Sequence, residues 1–167
     1  MPASQAYGSS NFNSDGTPKA NTFMRSPMGA NVQTAVETIP TTSLDDVADF
    51  FALHAVPAGK TLLQWVYEGT DGDSGGPTLD GDLVLRTVDK AGNVTDTTLV
   101  DTSARGAATY LGVATSATPR TFILGTAGSP GVLVPGDADD IALVGIKLMA
   151  VAATPVAITA YSALTFK

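Results

Sequence analysis

The sequence of 167 residues contains no cysteine and a single histidine, His54. Without cysteine there are no disulfides, no thiolate zinc sites and no cysteine nucleophile, whatever the redox compartment. One histidine excludes a multi-histidine metal centre within one chain. Charge is also scarce, at 15% of residues against about 25% in an average soluble domain, so much of the polar surface falls to Thr, Ser, Asn and Gly. The nine cations are scattered singly among sixteen carboxylates, giving a net charge of −7. No basic patch exists to neutralise several phosphates, which argues against nucleic acid and against anionic membrane surfaces as partners. The longest apolar stretch, Ile141 to Ile158, is interrupted by Lys147 and Pro155 and flanked by Asp139 and Asp140, so it fails as a transmembrane helix. The start, Met-Pro-Ala-Ser-Gln, lacks the basic and apolar regions of a signal peptide. These absences predict a soluble protein that stays inside the cell unless it leaves within a larger assembly.

Seventeen glycines and ten prolines punctuate what is present. The length fits one domain, and the composition changes near residue 45. Residues 1–45 are rich in Ser, Asn, Gly and Thr, with Pro2, Pro18, Pro27 and Pro40 and few large apolar side chains. A segment that buries so little cannot offset its own ordering entropy. It reads as an extended, largely irregular N-terminal arm, with Tyr7, Phe12, Phe23, Met24 and Met28 as isolated anchors for another surface. On this reading the rest of the chain folds without residues 1–40.

From residue 46 to 167 the pattern becomes β. Val47–Val56 reads as a strand that turns at Pro57-Ala58-Gly59-Lys60 and returns, hairpin-like, along Thr61–Glu68. The alternative, a short helix capped by Ser43-Leu44-Asp45-Asp46 with Val47 and Phe51 on one face, is less favoured. A Gly/Asp loop over 69–81 precedes a strand at Asp82–Val88, and Asp89-Lys90-Ala91-Gly92-Asn93 turns into Val94–Val100. Residues 101–120 are Ala-, Ser- and Thr-rich and ambiguous. Short strands follow at Thr121–Leu124 and Val132–Val134. The last two, Ile141–Ala152 and Pro155–Thr165, read as a pair closing around Ala153-Thr154; the first is apolar on both faces and so central. About eight short strands with turns at 8–12-residue spacing predict an all-β fold, an antiparallel β-sandwich that is jelly-roll-like.

Two motifs carry possible chemistry. Gly72-Asp73-Ser74-Gly75-Gly76-Pro77 is identical to the hexapeptide around the nucleophile of chymotrypsin-like serine proteases. By position, Ser74 would be the nucleophile and Gly72 an oxyanion donor. His54 lies only twenty residues before Ser74, with no room for two β-barrels, so the string reads as a surface hairpin loop and His54 as a half-buried strand residue. The same loop gathers Glu68, Asp71, Asp73, Asp80 and Asp82. Read as an EF-hand loop from Asp71, it has Gly76 at the sixth position but Gly75 at the fifth and the short Asp82 at the twelfth, which makes a solvated acidic loop the better reading. Asp137, Asp139 and Asp140, directly before an apolar strand, read as gatekeepers at its edge. Trp65 reads as core. No metal, no cofactor and no catalytic residue is assigned, and the chain is not expected to be an enzyme.

The arm, the strand ending in Val56-Pro57-Ala58-Gly59-Lys60, the apolar Leu62-Leu63-Gln64-Trp65-Val66, the loop Asp71-Gly72-Asp73-Ser74-Gly75, the strand Leu83-Val84-Leu85 and the closing Ile158-Thr159-Ala160-Tyr161 together resemble the small capsid decoration (cement) and related minor head proteins of tailed bacteriophages. The resemblance covers residues 45–167, and the arm in kind. It implies a β-sandwich, commonly a trimer, that sits on the outer capsid surface of the virion, clasps neighbouring major capsid protein subunits and stabilises the shell, after synthesis in the host cytoplasm. It brings no catalytic residues. A carbohydrate- or receptor-binding sandwich of a fibre or tail is the alternative.

Overall fold

The structure, a computed structural model, describes residues 5–19, 23–25, 29–43, 45–74, 79–101, 120–126, 128–137 and 140–167, with only the backbone at 23–25, 43 and 120. Among these residues there is no α-helix, only strands and a single 3-10 turn at Thr41–Ser43. The strands are β1 (Gln5–Tyr7), β2 (Phe23–Arg25), β3 (Asn31–Ile39), β4 (Phe50–Pro57), β5 (Thr61–Gly69), β6 (Asp80–Val88), β7 (Val94–Val100), β8 (Arg120–Ile123), β9 (Gly125–Thr126), β10 (Ser129–Pro130), β11 (Val132–Leu133), β12 (Ile141–Ala150) and β13 (Ile158–Phe166). They form two large sheets and a two-stranded ribbon of β9 and β10. The first runs β1-β4-β12-β6-β7 and the second β11-β5-β13-β3-β2, with β8 also on the β5 edge. All pairings in these sheets are antiparallel except the short parallel β1–β4. The fold is an all-β sandwich, as the turn spacing predicts.

The layers follow from alternation, since successive side chains of a strand face opposite ways. Ala35 and Ile39 of β3, Trp65 and Tyr67 of β5, and Ile158, Ala160, Leu164 and Phe166 of β13 point inward. From the first sheet they meet Phe51, Leu53, Val56, Leu83, Leu85, Val144, Ile146 and Leu148 in one core. Trp65 is 2% exposed and stacks on Phe122, ring centroids 5.2 Å apart. Each such large side chain, fully buried, contributes about 1.5–3 kcal/mol.

β4 carries an irregularity that shapes the interior. Val144 pairs with His54 but the next residue, Gly145, pairs with Ala52, so Leu53 is the extra residue of a bulge. The bulge lets both Leu53 and His54 face inward while Phe50, Ala52 and Ala55 join a second cluster on the outer side. Glycine is required opposite it: a Cβ on Gly145 would lie 2.1 Å from the Phe51 carbonyl oxygen.

Four sequence expectations are corrected. Residues 1–45 are not detached from the sandwich. β3 pairs along its whole length with β13, β1 pairs with β4, and residues 8–19 pack against the body. β3 escaped notice because two of its inward positions are polar, Gln33 and Glu37. The described residues between 5 and 40 are therefore part of what folds. Second, β4 begins at Phe50, not at residue 47; residues 45–49 turn, with Ala48 at φ 73°. Third, Pro57-Ala58-Gly59-Lys60 makes no hairpin. It carries the chain from the first sheet to the second, as 151–157 does between β12 and β13, so the last two strands do not close into the pair expected around Ala153-Thr154 but lie in opposite sheets. Fourth, His54 is fully buried. The β6–β7 hairpin and the central place of β12 match the sequence reading, and residues 102–119 lie outside those described.

Candidate interaction surface

The polar groups with chemical potential are best followed from the interior outward. His54 Nε2 lies 2.8 Å from the hydroxyl of Ser162, and the Trp65 indole N–H donates to the same oxygen at 2.8 Å. A serine beside an imidazole is the beginning of a nucleophile–base pair. Here both residues are 0% exposed, so no substrate reaches them in this state. The contact instead ties β4 of the first sheet to β13 and β5 of the second. Burial alone pushes the His54 pKa down to about 3, which keeps the ring neutral, and its Nδ1 has no partner among the described residues. Burial likewise raises the Tyr67 phenol, also without a described partner. Sequence reading missed Ser162, whose only signal is a small polar residue at an inward position between Ala160 and Leu164.

Ser74 is not near this imidazole contact. Its N–H and hydroxyl both donate to the Thr154 carbonyl, at 3.1 and 3.5 Å. Gly72 is packed under Ile158 and Leu79, where a Cβ would come within 2.7 Å of each. Asp73 is 2% exposed and accepts from the N–H groups of Ala153 and Thr154, at 3.0 and 2.9 Å. Asp71 accepts from the Asp73 N–H at 3.0 Å. The described part of the acidic loop thus clamps the β12–β13 connection, and Gly75, Gly76 and Pro77 lie outside the described residues. Among the described residues no group of three or more His, Cys, Asp or Glu is placed to hold a metal ion. Asp137 pairs with Lys90 at 2.7 Å and donates its N–H to Asp140, while Asp139 is outside the described residues.

The anchor residues read from the first 45 positions are spent within the chain where they are described. Phe12 is 2% exposed and packs on Phe50, Ala52, Ala55 and Val84. The small side chains of β4 leave the space it fills. The Tyr7 ring packs at a tilt against Phe12, centroids 5.3 Å apart, and Tyr7 is 37% exposed. Asn11 bridges the sheets, donating to the carbonyls of Leu53 at 2.7 Å and Thr34 at 3.1 Å. The buried Glu37 carboxylate takes the N–H groups of Ser9 and Ser10, and Gln33 accepts from the Ala55 N–H at 3.0 Å. Residues 8–19 thereby cover the outer face of the first sheet and seal its margin with β3. The backbones of Phe23 and Met24 lie in β2; their side chains and Met28 are outside the described residues.

What remains open is the outer face of the second sheet. The register places Tyr161 between Val36 and Glu68, Ala163 between Thr34 and Val66, and Thr165 between Val32 and Gln64, with Thr121 and Ile123 of β8 beyond. Val36 is 64%, Ile123 60% and Tyr161 39% exposed. Along the strands of this face Glu68 is the one charge among the described side chains.

No protein-family model and no curated protein matches the chain. Among solved structures, a chain of the capsid of Ralstonia phage GP4 is similar over 90% of this chain and 88% of its own, at 16% identity and a TM-score of 0.46. A chain of the cyanophage Pam1 capsid asymmetric unit is similar over 90% of this chain and 96% of its own, at 21% identity and a TM-score of 0.42.

Proposed function

We propose that the protein is a virion structural protein of a bacteriophage, which binds the outer surface of the capsid as a homo-oligomer and stabilises the shell. The oligomer is a trimer in the proteins the sequence resembles, the partner is the major capsid protein, and no catalytic step is involved. The observation that carries the reading is the contrast between a sealed interior and a wide, neutral, exposed sheet face. The Ser–His contact is buried, Ser74 is engaged with a backbone carbonyl, and Asp73 is consumed by amide donors. The exposed surface is instead mostly Thr, Val and Tyr on the outer side of a sheet, with Glu68 as its one described charge, suited to adhesion by many weak contacts multiplied by a lattice. Trp65 is buried, so it is not the aromatic platform that a carbohydrate-binding reading would use, and the exposed aromatics are Tyr7 and Tyr161 among the described residues.

The test is co-sedimentation of the purified chain with phage shells lacking it. Saturable pelleting, with shells that then resist heat or dilution better than bare ones, is expected. A chain left in the supernatant across all concentrations would refute the docking.

A further inference from the structure

We infer that the outer face of the second sheet, centred on Tyr161 and Ala163 of β13, is the surface on which copies of this chain meet. The inference rests on the oligomeric part of the reading above and adds where the contact lies.

Charge selects the occupant. Each copy carries −7, so copies repel unless they meet where carboxylates are absent. Among the described residues, the end of the sandwich formed by residues 40–49, 70–74 and 151–157 carries Asp45, Asp46 and Asp71, with Asp49 and Asp73 buried beneath, and no cation, so two such ends would set like charges together. The outer face of the first sheet is taken at its centre, where Phe12 lies beside the Arg86–Asp96–Lys147 ion network, and the smaller patch of Val88, Val94 and Ile141 at one end stays exposed. The face of the second sheet has Glu68 alone among Val32, Thr34, Val36, Val66, Tyr161 and Ile123. A basic partner would be drawn to the acidic end instead, and an acidic partner finds no cation along the described strands of this face. A surface of the same composition, another copy of itself, brings one carboxylate per copy, Glu68 near the end of β5, and no other charge among the described side chains of the face.

The size of the face fixes how tight the contact is. With strands about 4.8 Å and residues about 3.3 Å apart, four strands by seven residues cover on the order of 400 Å². A standard specific interface uses roughly 800 Å² per partner. Copies joined through this face alone therefore exchange rapidly, and the contact is concentration-dependent until a lattice holds both copies.

Sedimentation velocity of the full chain, from micromolar to millimolar concentration, tests this. A weight-average mass that rises above the monomer with concentration is expected. Val36→Asp and Tyr161→Asp each add a carboxylate to the face and should hold the chain at monomer mass over the same range. Val94→Asp adds the same charge to an exposed position on the first sheet (Val94 is 54% exposed) and should associate like the parent. Thermal melts confirm that all three variants fold. A parent that stays monomeric, or variants at 36 and 161 that associate no more weakly than the one at 94, overturns the assignment. Shell binding is scored separately. A monomeric chain that still pellets with shells, and loses pelleting with Val36→Asp, would give this face to the shell instead of to another copy. A chain that associates through this face but ignores shells leaves the inference standing and removes the docking function.

Discussion

The two outer faces of the sandwich are built from similar strands and end up with opposite fates. That of the first sheet is lidded by residues 8–19, with Phe12 in a small apolar cluster. Beside it Arg86 donates to both carboxylate oxygens of Asp96 at 2.7 and 2.9 Å, Lys147 to the same group at 2.9 Å, and the Arg86 guanidinium sits 4.0 Å above the Phe50 ring. That of the second sheet keeps Val36, Tyr161 and Ile123 in the open. A charged, aromatic-floored face needs a cover, because half-buried ions must be fully partnered. A Thr-rich neutral face tolerates water and can wait for a partner. Residues 8–19 are thus an internal cover for the centre of one face, and the other face is left exposed.

The comparison breaks most completely if the cover is removed. Deleting residues 1–40 takes away β1, the lid and β3, whose nine residues pair with β13. The loss strips the second sheet of a central strand and bares the second apolar cluster. We expect loss of the cooperative thermal transition and of dispersed amide resonances. A truncated chain that melts like the full one would show that β3 adds nothing to the fold.

A narrower cut is Phe12→Ala. Phe12 is 2% exposed, and large-to-small changes at such sites cost about 3–5 kcal/mol. Urea unfolding should show a midpoint shift of that order with little change in slope. Comparable in cause but different in place, Gly145→Ala drives a methyl into the Phe51 carbonyl at the bulge. Overpacking of this kind costs roughly 1–3 kcal/mol. Relief without loss would mean that the bulge is not held where it is.

These sites also mark what the sequence reveals and what it hides. β5, β6, β7 and the turn at 89–93 are legible because their signals are local: alternation, β-branched residues and an Asp-to-Gly-Asn turn. Pairing is not local. The four residues at 57–60 look the same whether the next strand returns beside β4 or crosses to the opposite sheet, and they cross. Gln33 and Glu37 disguise β3 because their inward polar groups are satisfied by Ala55, Ser9 and Ser10, which no spacing rule links to them. Asp73 likewise looks like a solvated loop carboxylate until Ala153 and Thr154, eighty residues on, supply its donors.

Acid should separate the interior from the first sheet's surface. His54 binds a proton at about 6.5 when unfolded and at about 3 when folded. Between those values the unfolded chain holds more protons, so stability falls as pH drops, by up to about 1.4 kcal/mol per pH unit. Above pH 6.5 this contribution is flat. Asp96 is held below its ordinary value of 3.8, first by the hydrogen bond from Arg86, so its contribution is lost only as pH falls below about 4. His54→Gln should flatten the stability profile between pH 6.5 and 4 and leave the lower limb. Unfolding midpoints measured across that range decide it; an unchanged slope in the variant would place the proton uptake elsewhere.

The smallest expected effect is the most diagnostic of the open face. Val36 is 64% exposed and sits directly opposite Tyr161. Val36→Thr keeps β-branching and removes one methyl from a position already in water, so at dilute concentration it should change unfolding free energy by less than about 0.5 kcal/mol. Phe12→Ala supplies the scale: one face is part of the folded core and the other is not. A Val36→Thr loss approaching that of Phe12→Ala would mean the second sheet is already covered in the isolated chain. The asymmetry between the two faces, and with it the free assembly surface, would then disappear.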